Sequence, residues 1–284
     1  MNAQVALITG CSSGLGFALA KKLVTAGYAV HAGMRAVGQA DALRAACNYA
    51  PSLLVSHLDL ADRTSINETV RRVLTHSGRI DIVINNAATA LLGPPDSASP
   101  EEAEYLFKVN VLSLIDLVQQ VLPQMRKQQS GHILTVGSIS SIESSAYLGV
   151  YAATKFAQEA LMLSWATVLH KWNIRCTMVE PGAMNTALPH TIRAGSYYAQ
   201  HEEDPYFAFN ANALHFLRTV LQQGKDPDEV ADLILGILHA SQPKFRYPTC
   251  TFSKGLLERH LQDPSGDAWV EEHRAFAEQF YRKL

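Results

Sequence analysis

An excess of charge is the first thing this sequence lacks. Its 24 Lys and Arg residues nearly balance 26 Asp and Glu, leaving a formal net charge of −2. That balance gives no electrostatic footing for nucleic acid, and no nucleic-acid partner is expected. Cysteines are few as well. Cys11, Cys47, Cys176 and Cys250 stand far apart, without the paired spacing of a metal site, so no metal is expected and a reducing compartment suits them. No run of 18 apolar residues occurs, so no membrane span is expected. The chain enters directly on Val5-Ala6-Leu7-Ile8, without the basic start and cleavage site of a signal peptide, and a cytoplasmic location is expected. Internal repeats and low-complexity linkers are missing too, which favours one domain over residues 1–284.

What is present is an alternation of short apolar runs and apolar-striped helices. Gln4–Thr9, Tyr28–Met34, Leu53–Leu58, Ile80–Ile84, His132–Val136 and Ile174–Val179 read as buried strands. The helices between them read as Gly14–Ala26, Arg63–Thr75, Pro100–Gln129 and Val150–Trp172. Uninterrupted apolar strands separated by helices predict an α/β fold, a doubly wound parallel sheet covered on both faces in three layers. Pro123 predicts a kink or break in the third helix. The stripe Phe156, Ala160, Leu163 and Leu169 predicts a buried face on the fourth.

Between the first strand and first helix lies Thr9-Gly10-Cys11-Ser12-Ser13-Gly14-Leu15-Gly16. Glycines at 10, 14 and 16 let backbone amides approach a ligand closely, and the helix N-terminus that follows favours phosphate. Strand, glycine turn and helix in this order predict dinucleotide binding. The second strand ends in Gly33-Met34-Arg35 with no carboxylate for a ribose diol. Arg35 is suited to a 2′-phosphate, with the Ser12 hydroxyl as a further donor, which makes NADP(H) the expected cofactor. Asp59-Leu60 follows the third strand, where Asp59 either accepts from an adenine amine or caps the next helix. Asn85-Asn86-Ala87-Ala88 follows the fourth, its small residues allowing close backbone approach.

A second constellation follows. Tyr151 and Lys155 at i, i+4 share one face of a helix, about one turn apart. A lysine ammonium there is expected to lower the phenol pKa, and Ser138, past the preceding strand, to hydrogen-bond the substrate oxygen that Tyr151 protonates or deprotonates. Asn110, in an apolar helical setting, has two compatible readings: it satisfies buried backbone groups, and it holds a water linked to Lys155. Ile139, Ala146, Tyr147 and Leu148 give the pocket edge a bulky apolar character.

From Thr186 to Lys225 the periodicity fades and aromatic and histidine residues crowd together: Pro189, His190, Tyr197, Tyr198, His201, Tyr206, Phe207, Phe209, His215 and Phe216. A substrate lid and an oligomer interface are both open readings, the lid favoured. A helix from Asp226-Pro227 to Ala240, a short strand at Phe245–Tyr247 and helices at Leu256–Leu261 and Trp269–Phe280 complete a C-terminal cap. The chain thus divides into a cofactor and catalytic core (1–185), a lid (186–225) and C-terminal helices with a last strand (226–284).

With these residues placed, the chain resembles the short-chain dehydrogenase/reductase family over essentially its whole length, most clearly from residue 4 to 186. The resemblance rests on Thr9-Gly10, Gly14 and Gly16, Asp59, Asn85-Asn86-Ala87, Asn110, Ser138, Tyr151 with Lys155, and Pro181-Gly182 with Thr186. Gly33-Met34-Arg35 and Asp263-Pro264-Ser265-Gly266 make it similar to the branch holding 17β-hydroxysteroid and photoreceptor-type retinol dehydrogenases. The resemblance implies a Rossmann fold and a catalytic tetrad of Asn110, Ser138, Tyr151 and Lys155. It also implies a cofactor site of Gly10, Ser12, Ser13, Gly14, Leu15, Gly16, Arg35, Asp59, Leu60, Asn86, Ala87, Tyr151, Lys155, Pro181, Gly182 and Thr186. Lys155 would contact the nicotinamide ribose, Thr186 would lie near the carboxamide, and Asn110 would support a water relay. Substrate contacts fall on Ser138, Tyr147, Leu148, Tyr151 and His215.

The implied activity is NADP(H)-dependent interconversion of a carbonyl and an alcohol on a bulky apolar small molecule, by a homodimer or homotetramer. One departure stands out: the family usually has Gly where this chain has Ala88, a strained substitution if that backbone needs a positive φ. A non-catalytic NADP(H) sensor or scaffold would not need the complete tetrad. The extended sugar-nucleotide epimerases share the Tyr and Lys spacing but differ in glycine spacing and carry a larger C-terminal domain.

Overall fold

Alternation along Val5–Thr9 sets up the architecture. Ala6 and Ile8 point into one buried cluster, Val5 and Leu7 into another, so the strand is covered on both sides. In the computed structural model, which describes residues 3–186, 193–194, 206–260 and 275, this strand (β1) lies near the centre of a seven-stranded sheet. The others are β2 (Ala29–Met34), β3 (Leu53–His57), β4 (Ile82–Asn85), β5 (Gly131–Val136), β6 (Ile174–Glu180) and β7 (Arg246–Pro248). All pairs are parallel, in the order β3-β2-β1-β4-β5-β6-β7. The order reverses direction at β1 and β4, where parallel sheets of this kind open a crevice at the strands' C-terminal ends.

Two helical layers cover the sheet. One cluster takes its helical residues from α1 (Gly14–Thr25), α2 (Ala40–Ala46) and a later helix, Pro227–His239. The opposite cluster takes them from α3 (Arg63–Ser77), from α5 (Ser113–Gln128), which continues α4 (Pro100–Phe107) through a π turn (Lys108–Leu112), and from α6 (Gly149–Leu169). Beyond β6 come α7 (Phe207–Gln222), α8 (the Pro227–His239 helix) and, after β7, α9 (Thr251–His260). A two-residue parallel pairing of Leu91–Leu92 with Arg193–Ala194 links the loop after β4 to the segment before α7. Pro189, His190, Tyr197, Tyr198, His201, the Asp263-Pro264-Ser265-Gly266 stretch and the expected Trp269–Phe280 helix lie outside the described residues.

Four details differ from the reading of the sequence. The helix does not break at Pro123: α5 runs through it to Gln128. Pro123 and Gln119, whose carbonyl loses its α-helical partner, both face solvent, while Val121, Leu122 and Met125 anchor the buried side. Phe156, Ala160 and Leu163 are exposed rather than buried, and α6 buries Ala152, Lys155, Gln158, Met162 and Leu169 instead. The inward turn of two polar residues hides that face from an apolar-period search. Asp62, not Asp59, caps α3, accepting from the Thr64 amide at 2.9 Å. Finally, an 18-residue stretch within Pro100–Gln128 is apolar enough by length and composition to cross a membrane, and 50% of that stretch is buried inside the fold. A search for unbroken apolar runs passes over it because its polar residues are interspersed.

Leu7 is fully buried between β1's neighbours and the α3–α5 layer. Leu7→Ala should lower unfolding stability by about 2–5 kcal/mol, read from urea denaturation with the m-value unchanged.

Candidate active site

The glycine turn closes over the end of β1 because three of its positions have no room for a side chain. A Cβ on Gly16 would stand 2.2 Å from the Gly10 carbonyl oxygen and 2.6 Å from Asn86 Nδ2. Gly10 holds φ at 77° and Gly14 at 57°, both in the left-handed region that glycine permits. Thr186 packs onto this turn, its side chain 3.3 Å from where a Gly14 Cβ would be. Asn86 latches the turn to the loop after β4: Nδ2 donates to the Thr9 carbonyl at 2.9 Å and the Gly10 carbonyl at 3.3 Å. The Thr9 hydroxyl accepts from the Asn86 and Ala87 amides at 3.0 and 2.9 Å.

Unlike α3, α4 and α8, which are capped by Asp62, Ser99 and Asp226, α1 begins with no side-chain cap and no acid in its first turn. Ser12 and Ser13 are exposed beside it, and Leu15 turns into the core. A turn without side chains leading to an uncapped helix N-terminus fits a pyrophosphate. Arg35 is exposed just past β2, beside the same crevice edge. Asp59 accepts from the Ala61 amide at 2.8 Å and is half-buried, as is Leu60. Ala88 is not among the residues with positive φ, so the alanine sits there without strain.

On the other side of the crevice, α6 carries Tyr151 and Lys155 on one face. Ser138, extended just past β5, hydrogen-bonds the Tyr151 phenol and accepts from the Ser140 amide at 3.1 Å. The Lys155 ammonium lies 5.6 Å from the centre of the Tyr151 ring. Lys155 is 1% exposed, and its Nζ donates to the Val136 carbonyl and to Gln158 Oε1, each at 3.1 Å. Burial pushes the phenol up to about 12, the Ser138 hydrogen bond acting against it, and brings the ammonium down to about 7. The sequence had suggested a phenol lowered by its lysine. Desolvation reverses that: withdrawing the phenolate from water is the largest influence, and the Ser138 hydrogen bond opposes it only in part.

Asn110 sits in the π turn and is 1% exposed. Its Oδ1 accepts from the Thr89 amide at 2.9 Å, and its Nδ2 donates to the Thr89 carbonyl at 2.9 Å and the Thr154 hydroxyl at 3.0 Å. The amide therefore satisfies buried backbone, the first of the two readings of the sequence. Pro181 and Gly182 follow β6; the Pro181 carbonyl accepts from the Ile139 amide at 2.9 Å and so ties this loop to Ser138's.

Tyr147 and Leu148 belong to an apolar cluster with Leu92, Phe209, Ala213, Leu217 and Phe216, which packs α7 as an apolar wall against the segment leading into α6. Tyr147 meets Phe216 edge to face, with ring centres 6.3 Å apart. His215 lies on the exposed side of α7, opposite the buried Phe209–Ala213–Leu217 stripe, and the structure does not bring it to that cluster.

Two features went unseen in the sequence. Gln158, three residues past Lys155 on the same buried face, was readable as a polar residue at helical spacing from the lysine. Glu159, Glu180 and Arg246 form a buried charge cluster that no local pattern announces, since they come from α6, β6 and β7. Arg246 pairs with Glu159 and, at 3.2 Å, with the fully buried Glu180.

Residues 4–196 match the family model described as short chain dehydrogenase. The chain is 32% identical over 279 residues to estradiol 17-beta-dehydrogenase 1 of Rattus norvegicus, covering 95% of this chain and 80% of that protein. It is 30% identical over 281 residues to retinol dehydrogenase 8 of Bos taurus, covering 94% and 88% respectively. Among solved structures, a short-chain dehydrogenase from Streptomyces avermitilis aligns with a TM-score of 0.80 at 29% identity, covering 97% of each chain.

Burial, then the Glu159 charge, push Glu180 from 4.5 to about 8, against the pull of Arg246. A raised folded-state pKa favours the protonated carboxyl, so its contribution is full below the unfolded value and is lost as pH rises through about 8. Glu180→Gln cannot ionise. Its stability relative to the unsubstituted protein should rise between about pH 5 and about pH 9 in urea denaturation; a gap that stays constant with pH would contradict this.

Proposed function

The chain belongs to the short-chain dehydrogenase family, and on that premise we propose that it is an NADP(H)-dependent oxidoreductase acting on a bulky apolar substrate. It interconverts a carbonyl and a primary or secondary alcohol. The observation that carries this reading is a phenol hydrogen-bonded to Ser138, one helical turn from a buried lysine, beside a glycine turn without side chains.

The residues divide the work by position. The Gly10–Gly16 turn with Ser12 and Ser13 would hold the pyrophosphate, Arg35 the 2′-phosphate, and Asp59 and Leu60 the adenine. Asn86, Ala87, Tyr151, Lys155, Pro181, Gly182 and Thr186 would hold the nicotinamide end. When bound, the nicotinamide supplies or accepts the hydride. Tyr151, a phenol that keeps its proton to about pH 12, donates it to a carbonyl oxygen as negative charge develops there. Ser138 orients that oxygen and stabilises the charge, and Lys155 places a positive group one turn below the phenol. Asn110 keeps the Thr89 backbone and the Thr154 hydroxyl fixed around them.

A phenol this reluctant to ionise favours reduction at neutral pH. The apolar α7 wall and the steroid and retinoid names of the relatives support a steroid, retinoid, aromatic or long-chain ketone as substrate. A homo-oligomer is supported by the exposed apolar residues Tyr105, Leu112, Phe156, Leu163 and Val168, on the neighbouring α4, π turn and α6.

NADPH and NADH consumption against a panel of bulky and small ketones tests the reading. We expect NADPH to be preferred, and Arg35→Ala to reduce that preference about tenfold or more. Preference for NADH would overturn the Arg35 assignment; silence across the panel with NADPH bound would favour a sensor. Tyr151→Phe should lower kcat by about 10²-fold or more with dinucleotide binding nearly intact. Alcohol oxidation needs the phenolate, so its rate should rise with pH throughout the range in which the protein is folded, while carbonyl reduction should not rise and should fall as Lys155 loses its charge above about pH 7. Equal pH dependence in both directions would remove Tyr151 from the acid–base role.

A further inference from the structure

Gln158 is a buried carboxamide, 3% exposed, that uses neither of its ends on its own helix backbone. Its Oε1 accepts from Lys155 Nζ at 3.1 Å, and its Nε2 donates to the main-chain carbonyl of Asn110 at 2.6 Å. That carbonyl is available because of the π turn. The Ser113 amide bonds back five residues to the Lys108 carbonyl, which opens the α-helical ladder. Of the carbonyls in the turn, that of Val109 is taken by the Ser113 hydroxyl at 2.5 Å, and that of Asn110 by Gln158.

We propose that Gln158 is a positioning residue that clamps the Lys155 ammonium to the Asn110 main chain, joining α6, β5 and the π turn into one hydrogen-bonded frame around Lys155 and Tyr151. The proposal rests on the function assigned to Lys155 above. It also changes how Asn110 connects to the lysine. The link runs through a side-chain amide, which holds its protons firmly, so it fixes the ammonium rather than passing protons to it.

Among the described residues, the groups against the ammonium are few. Tyr151 lies on its own helix, the Val136 carbonyl comes from β5, and Gln158 carries the connection to the π turn. Of these only Tyr151 titrates; Glu159, next in the chain, faces Arg246. A buried ammonium with two acceptors loses half of them if Gln158 loses its oxygen, whereas a purely space-filling residue at 158 would leave the lysine indifferent.

The test reads Lys155 directly, with no substrate. In protein labelled with ¹³C at lysine Cε, the Lys155 signal is identified by its loss in Lys155→Met. Its titration is then followed in the unsubstituted protein, in Gln158→Met, which keeps length and bulk, and in Gln158→Glu, which keeps the acceptor and adds charge. Gln158→Met should move the midpoint down by about one to two pH units, and Gln158→Glu should move it up. An unchanged midpoint in either folded variant overturns the proposal, so failure of one variant to fold leaves the other decisive. Turnover supplies the second readout: Gln158→Met should lower kcat with substrate KM nearly unchanged. If the unsubstituted protein reduces no carbonyl while the midpoints move as stated, the oxidoreductase assignment falls and the clamp stands. If turnover is normal and the midpoints do not move, the clamp falls and the assignment stands.

Discussion

An ammonium taken almost wholly out of water must be given oxygen acceptors or lose its proton, and the centre of this molecule is arranged around that constraint. Lys155 finds one acceptor in the last carbonyl of β5 and another in Gln158. The first ties α6 to the end of a sheet strand. The second ties it, through the Gln158 amide, to the Asn110 carbonyl in the π turn. Each bond would be unremarkable at the surface. In the interior, where an unpaired charge is costly, they fix the angle and depth at which α6 presents Tyr151.

The other half of the crevice is governed by space instead of charge. Gly16 and Gly10 let the first turn fold within contact distance of the loop after β4, and Asn86 closes the gap with hydrogen bonds to two consecutive carbonyls. What emerges is a helix start stripped of side-chain caps and surrounded by small residues, at the point where the strand order reverses. Charge on one wall and absence of bulk on the other are complementary demands for holding a dinucleotide against a reacting carbonyl.

The β-strands were legible in the sequence because parallel strands covered on both sides must be mostly apolar, and β1, β2, β4 and β5 are, with only a few uncharged polar residues such as Thr9, Asn85 and Thr135 among them. The helix starts and the glycine turn were legible because they depend on backbone rules that act within a few residues. What misled was the far side of α6. Phe156, Ala160 and Leu163 form an apolar stripe as regular as any core face, yet they are exposed, while Lys155 and Gln158 occupy the interior. Periodicity registers that a helix has faces; it does not say which one the fold will cover. The same limit applies to Pro123, whose effect depended on its carbonyl partner facing solvent.

By itself the sequence determined the alternation of strand and helix, the place of the glycine turn, and the spacing of Ser138, Tyr151 and Lys155. All three follow from interactions between residues close in the chain, or from the tendency of strands covered on both faces to be apolar. Only the tertiary structure decided the titration of the site and its supports. Whether Tyr151 holds or releases its proton turns on its withdrawal from water and on Ser138, which the end of β5 delivers from thirteen residues back in the chain. Glu180 shares Arg246 with Glu159 only because β7 adds to the sheet beside β6. Solvation and long-range charge are properties of the packed assembly, and no stretch of the chain carries them alone.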